Sequence, residues 1–299
     1  MPWTSFTYKY DCAIITIYHG AYFMFRNPPK VIGHISALKK GPFVGQEYIM
    51  SKVDDEIKLF NRLCPHRFYP IGEIGNSEIK CKLHGFGFNS DGSPQNNPYK
   101  LNCQSSNNGK SGIVFKNFVE PNHKWVDDVA NETNLEYSHS YTGESTGNWL
   151  WLMEIEADLL HIIENGVHPW LASQIDPYSV KLENGDGWIY QEHPNGWWVY
   201  IFPFIFVEWT KGCLSINCTF PNDIKEERGY KWLTQLYYDP KVTTEQRDIF
   251  NKIEDVFRED VIVSELQKTR YVPYKKCINS LESQSVIFGE WVKKNRIKE

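Results

Sequence analysis

CPHRFYPIGEIGNSEIKCKLHGFGFNSDGS, residues 64–93, sets two cysteines and two histidines in the order C-x-H, a 14-residue spacer, then C-x2-H. Two thiolates with two imidazoles form a ligand set with few uses. Tetrahedral zinc accepts it, although simple zinc motifs favour C-x2–4-C and H-x3–5-H pairs. A [2Fe-2S] centre accepts it when Cys64 and Cys81 hold one iron and His66 and His84 the other. The interleaved Cys, His, Cys, His order fits that second division.

Outward from this stretch, EYIMSKV (47–53) and EIKLFNRL (56–63) place β-formers between turn residues, which predicts small strands of an all-β module. QSSNNGKSG (104–112) reads as a loop. Composition shifts near residue 120: only Trp3 of the 11 tryptophans precedes it, and residues 121–145 are polar and turn-rich. The domain boundary is placed there, giving 1–120 and 121–299. Downstream, residues 188–220 read as a meander, with Pro194-Asn195-Gly196 and Lys211-Gly212 as turns between aromatic and β-branched strands. GYKWLTQLYYD (229–239) adds a strand. A long helix is predicted from Thr243 to about Arg270, opened by a Thr243/Gln246 capping box.

At 299 residues with net charge −5, the chain has room for two modest domains and no broad basic surface for nucleic acid or anionic lipid. No basic leader opens it and no apolar run reaches membrane-spanning length. Seven irregularly spaced cysteines do not resemble a disulfide framework, so a reducing, cytoplasmic compartment is expected.

The CPHR, the C-x2-HG and the following Asp91-Gly92 resemble the Rieske domain of the ring-hydroxylating oxygenases, over roughly residues 40–118. The spacer is slightly shorter than that family's. The resemblance implies a Rieske [2Fe-2S] cluster on Cys64, His66, Cys81 and His84. A Rieske domain alone only carries electrons, so the remaining chain decides the function.

NWLWLMEIEADLLHIIENGVHPW (148–170) carries Glu154, Asp158, His161, Asn165 and His168 at steps of 4, 3, 4 and 3. A helix would gather them on one stripe. Periodicity alone slightly favours a solvent-facing stripe on an ordinary amphipathic helix. Asp158-Leu159-Leu160-His161 followed by His168 resembles the family's Asp-x2-His motif and second histidine. The family leaves four residues between its histidines and this chain six, which on an ideal helix separates them by about 10 Å. Asn165-Gly166 tolerates left-handed backbone and would let His168 fold back, with His193 as its substitute. On the C-terminal helix, Asp260 lies on a face with Ile249, Ile253, Val256, Phe257 and Ser264, where a lone carboxylate is expensive unless paired or bound to metal. Asp255 projects oppositely, among Asp248, Asn251, Arg258 and Glu259, and is expected to be solvated. FREDVIVSELQ also resembles the family segment that supplies the iron carboxylate. An unseen Arg or Lys partner for Asp260 is the alternative.

The resemblance therefore implies mononuclear Fe(II) on His161, His168 and Asp260. It implies that Asp158 joins His161 to the neighbour's His84 in a homotrimer. The expected architecture is α+β: an all-β Rieske domain, then a helix-grip catalytic domain of antiparallel sheet and long C-terminal helix. Expected partners are a ferredoxin or flavin reductase, O2 and a small, largely apolar organic substrate to be hydroxylated or oxidatively demethylated. Trp198, Tyr200 and Phe202 are expected to line its cavity. Cys213 and Cys218 are read as core thiols on opposite strand faces, and His19, His34, His123 and His139 lack ligand-like companions.

Overall fold

The computed structural model describes residues 28–104, 106–163, 166–222, 227–273 and 279–295. Its first part contains β1 (Lys30–His34), β2 (Phe43–Val44), β3 (Tyr48–Val53), β4 (Glu56–Asn61), β5 (Lys80–Cys81), β6 (Phe86–Gly87), β7 (Cys103–Gln104), β8 (Asn107–Asn108) and β9 (Ile113–Lys116). They form three antiparallel sheets, β2-β3-β4-β7, β1-β9-β8 and the hairpin β5-β6. Residues 104–112, expected as loop, contribute the end of β7 and all of β8.

The second part runs through α1 (Lys124–Asn131), β10 (Glu136–Asn148), α2 (Trp149–Ala157), α3 (Pro169–Gln174), β11 (Lys181–Gly185), β12 (Trp188–His193), β13 (Gly196–Ile201), β14 (Ile205–Thr210), β15 (Cys213–Pro221), β16 (Arg228–Tyr238), α4 (Thr244–Asn251), α5 (Ile253–Leu266) and α6 (Ser283–Asn295). Its strands make one seven-stranded sheet in the order β10-β16-β15-β14-β13-β12-β11, each neighbouring pair antiparallel. The fold class is thus α+β, with small β-sheets preceding an antiparallel sheet clasped by helices. The predicted turns fall between β12 and β13 and between β14 and β15.

The two faces of this sheet are read from alternation along β13. Trp197 points toward α1, where its ring meets Trp125 at 6.1 Å and its Nε1–H donates to Asp128 Oδ2 at 3.0 Å. Tyr200 points the other way, onto Phe288 and Trp291 of α6. Cys213 and Cys218 separate likewise into two different core clusters. Among the described residues five cysteines are free; Cys12, Cys277 and His19 lie outside them. The halves are tied by His34, whose backbone N–H donates to Tyr237 Oη at 3.0 Å, and by Gln235 Nε2, which donates to Ile32 O at 2.9 Å.

Three expectations are corrected. The polar segment 121–145 is α1 followed by most of β10, because His123 caps the helix and an edge strand can be polar without losing its pairing to β16. The C-terminal helix is not continuous: the Thr243/Gln246 capping box forms, but α4 stops at Asn251, Lys252 intervenes, and α5 ends at Leu266. Lys252 itself keeps right-handed helical backbone, and Ile249, though 50% exposed, lines one cavity with Ile253, Val256, Phe257 and Asp260, of which Phe257 and Asp260 are buried. The segment 148–170 is not one helix either. α2 ends at Ala157, and Asp158 adopts extended backbone at φ −81° and ψ 148°. No described helix is long and apolar enough to cross a membrane.

Candidate metal centres and the cavity between helix and sheet

Two turns bring the four N-terminal donors together. Cys64 O accepts from Phe68 N–H at 2.7 Å and Cys64 N–H donates to Tyr69 O at 2.9 Å, while Cys81 O accepts from Gly85 N–H at 2.8 Å. Pairing of Ile71 with Cys81 holds the turns side by side. Gly85 sits at φ +70° although a Cβ there would meet nothing within 4 Å, so the glycine is needed for its backbone and not for space. Both thiols are buried, and the His66 and His84 rings lie 4.8 Å apart. Burial pushes the Cys64 thiol pKa up, and the adjacent Cys81 adds to the effect. His66 Nδ1 is sealed from solvent with no hydrogen-bond partner. Two buried thiols and an orphaned imidazole nitrogen leave donor atoms unsatisfied that a metal cluster would satisfy. His84 is exposed, which puts the histidine side of the centre at the surface.

The second constellation is assembled across the fold. After Asp158 the chain makes a short 3-10 turn at Leu160–Ile162 and then doubles back. Gly166 N–H donates to Ile163 O at 2.7 Å and Val167 N–H to His161 O at 2.9 Å. A Cβ on Gly166 would lie 2.1 Å from His161 O, so only glycine permits this approach; Asn165 lies outside the described residues. The fold-back sets the His161 and His168 rings 5.0 Å apart. α5 delivers Asp260 from the opposite side. Its Oδ1 lies 2.9 Å from His168 Nε2 and 3.8 Å from His161 Nε2. One donor atom from each of the three lies within 4.8 Å of the others. Bonds of about 2.0–2.2 Å put adjacent donors on a metal roughly 3 Å apart, so the triangle fits after a closure of about 1–2 Å on the His161 side.

Electrostatics favour the same donors. Burial lowers His161 to about 4 despite Asp260, which keeps it a neutral imidazole. Its Nδ1 lacks a hydrogen-bond partner and lies 3.9 Å from Asp158 Oδ2. Burial also raises Asp158 to about 6; the Leu160 N–H opposes this and Glu282 adds to it. Burial opposes charge on His168, but Asp260 and Glu259 outweigh it and its pKa is raised. Beside these residues a cavity of about 480 Å³ opens between α5 and the sheet.

Residues 29–107 match the Rieske [2Fe-2S] domain family. No protein of curated function matches the chain by sequence. Solved structures do. The quaternary ammonium Rieske monooxygenase CntA in complex with L-carnitine superimposes with TM-score 0.71 at 17% identity, over 95% of this chain and 94% of that one. NdmA of Pseudomonas putida CBB5 gives TM-score 0.52 at 17% identity, over 91% of each chain. The chain has the fold of the Rieske oxygenases.

Within this Rieske oxygenase fold, several groups escaped the sequence. Glu259, grouped there with the solvated residues, accepts from His168 Nδ1 at 2.6 Å while its side chain stays 45% exposed. Asp255 is exposed as expected. Glu154 is turned away from the cavity and accepts from Tyr271 Oη. Of the three aromatic residues expected in the cavity wall only Trp198 lines it, since Tyr200 and Phe202 are covered by α6, a helix the sequence did not suggest. His193 also lines the cavity but is not one of the three gathered donors, His161, His168 and Asp260. His34 caps a 3-10 turn, His123 caps α1 and His139 bonds Tyr141 Oη, so these three are structural.

Proposed function

We propose that this chain is the catalytic subunit of a Rieske non-haem iron oxygenase acting on a small organic substrate. The observation that carries this reading is the triangle of His161, His168 and Asp260 in the wall of a 480 Å³ cavity. Cys64 and Cys81 would hold one iron of the cluster, His66 and His84 the other, and His161, His168 and Asp260 a separate Fe(II). Bound, these groups supply electrons and activate O2 at the coordination positions left open.

The chain's own residues prepare that chemistry. Glu259 accepts the proton-bearing side of His168, which leaves Nε2 with its lone pair toward Asp260. Asp158 stands in the same relation to His161 Nδ1, and a small closure from 3.9 Å would fix its tautomer. Ile162, Leu171, Phe206 and Phe257 supply apolar wall that limits water at the reacting end.

We further propose a homotrimer in which Asp158 joins His161 to the exposed His84 of the next subunit, with a ferredoxin or flavin reductase supplying electrons. Inter-subunit electron transfer is named for the structurally similar quaternary ammonium monooxygenase. The test is O2 consumption with a surrogate reductase across a substrate panel. Substrate-stimulated uptake should vanish in His161→Ala and in Cys64→Ser, and return when those two inactive subunits assemble together. Mixed trimers without recovered uptake would refute the transfer between chains.

A further inference from the structure

Besides Asp158 near His161 and Glu254, which is paired with Arg258, the cavity wall holds two carboxyl groups that the iron triangle does not use. Glu156 comes from the last turn of α2 and Glu208 from β14. Protein surrounds both, so the accessible surface they retain faces the cavity. Glu156 Oε1 is sealed from solvent and has no hydrogen-bond partner. Burial holds Glu208 up at about 7 against the opposing Trp198 N–H, and holds Glu156 well above the carboxylate range, with Asp260 and Glu208 adding to it.

Among the described residues, no cation is positioned to offset this pair. Among the described residues lining the cavity, the exposed Lys211 is the only Lys or Arg. His193 is held neutral by burial, at about 4, and its Nδ1 accepts from Asn195 N–H at 3.3 Å. Its Nε2 is buried without a partner and is left as the N–H-bearing nitrogen. Trp198 lies directly opposite Glu208 in the β13–β14 pairing and packs its ring 4.5 Å from that of His193. Two acids without a counter-charge beside an indole ring make a poor wall for a neutral hydrocarbon and a good one for a cation.

We propose that Glu156, Glu208 and the Trp198 ring form a cation subsite, and that the substrate is a small organic amine bound as its N–H-bearing ammonium. The N–H decides between amines. A carboxylate facing the cavity accepts an N–H, which a protonated amine supplies and a quaternary ammonium does not. This rests on reading the cavity as the substrate site.

The experiment is anaerobic titration calorimetry of the holoprotein at neutral pH with three probes of similar shape: dimethylbenzylammonium, benzyltrimethylammonium and the uncharged isobutylbenzene. Dimethylbenzylammonium should bind roughly tenfold or more tightly than either of the others. Glu208→Gln and Glu156→Gln should each shrink its advantage over isobutylbenzene, with the cluster absorbance reporting that the variants are folded. Equal or tighter binding of isobutylbenzene or benzyltrimethylammonium, or no binding of dimethylbenzylammonium, overturns the subsite. If a variant loses its cluster absorbance, the ranking on the unaltered protein still decides. The ranking needs no turnover. Its loss with substrate-stimulated O2 uptake intact overturns the subsite alone, and its presence in a protein without a mononuclear iron overturns the oxygenase alone.

Discussion

All four proposed donors of the N-terminal centre come from residues 64–84, on two turns joined by one bridge, and one of them, His84, is exposed. The second centre draws on a fold-back loop and a helix, with His168 and Asp260 92 residues apart in sequence and both almost wholly buried. The first depends on local turn geometry. The second exists only if α5 packs correctly over the loop that follows α2. A local centre should therefore survive disturbance of the catalytic half, and the tertiary one should be sensitive to single groups that hold α5 and the loop together.

The largest expected effect is at the local centre. Cys64→Ser should abolish the Rieske paramagnetic spectrum altogether while the mononuclear iron remains; a retained spectrum would break the ligand assignment. Next, Asp260→Ala should lose the mononuclear iron and lower turnover by at least about a hundredfold, keeping the cluster, whereas Asp255→Ala should do neither. Iron content and cluster absorbance measured on both variants check this pair. An intermediate effect is expected from Glu259→Gln, which replaces the acceptor on His168 Nδ1 by a weaker one. Mononuclear iron affinity should fall about 10–100-fold, with the cluster untouched, and competition with a chelator reads it.

These contrasts follow how each site was visible beforehand. The cluster motif was legible because its donors and their turns are contiguous, and Gly85 marks one turn in the sequence itself. Asp260 was singled out because a carboxylate on an apolar face stands out, and Ile249, Ile253, Val256 and Phe257 do line one cavity with it, although Ile249 is half exposed. The histidine pair was located on a stripe that does not exist. Asp158 leaves the helix, and the fold-back, not periodicity, joins His161 to His168. Glu259, Glu156 and Glu208 were not legible, because their roles depend on which strand or loop faces them across the cavity. α6 was missed for the same reason: its apolar residues are sparse, and its place is set by Tyr200 and Phe202 on the sheet.

The smallest effect concerns the seam between the two halves. Burial lowers His34 to about 4 from 6.5, so the folded chain takes up this proton at lower pH than the unfolded chain does. Stability from this residue is complete above pH 6.5 and is lost as pH falls toward 4, by about 3 kcal/mol in all. Between neutral pH and about pH 5, chemical denaturation should show the unaltered protein losing about 2 kcal/mol more than His34→Gln. Equal losses would mean that the seam is not acid-sensitive through His34.

The central claim, two separate iron centres in one chain, is tested most directly by quantifying iron and acid-labile sulfide in protein purified anaerobically and reconstituted with Fe(II) and sulfide. Three irons and two sulfides per chain are expected, with one iron lost in Asp260→Ala. Two irons and two sulfides in both proteins would leave a Rieske electron carrier or ligand-binding protein and contradict the oxygenase.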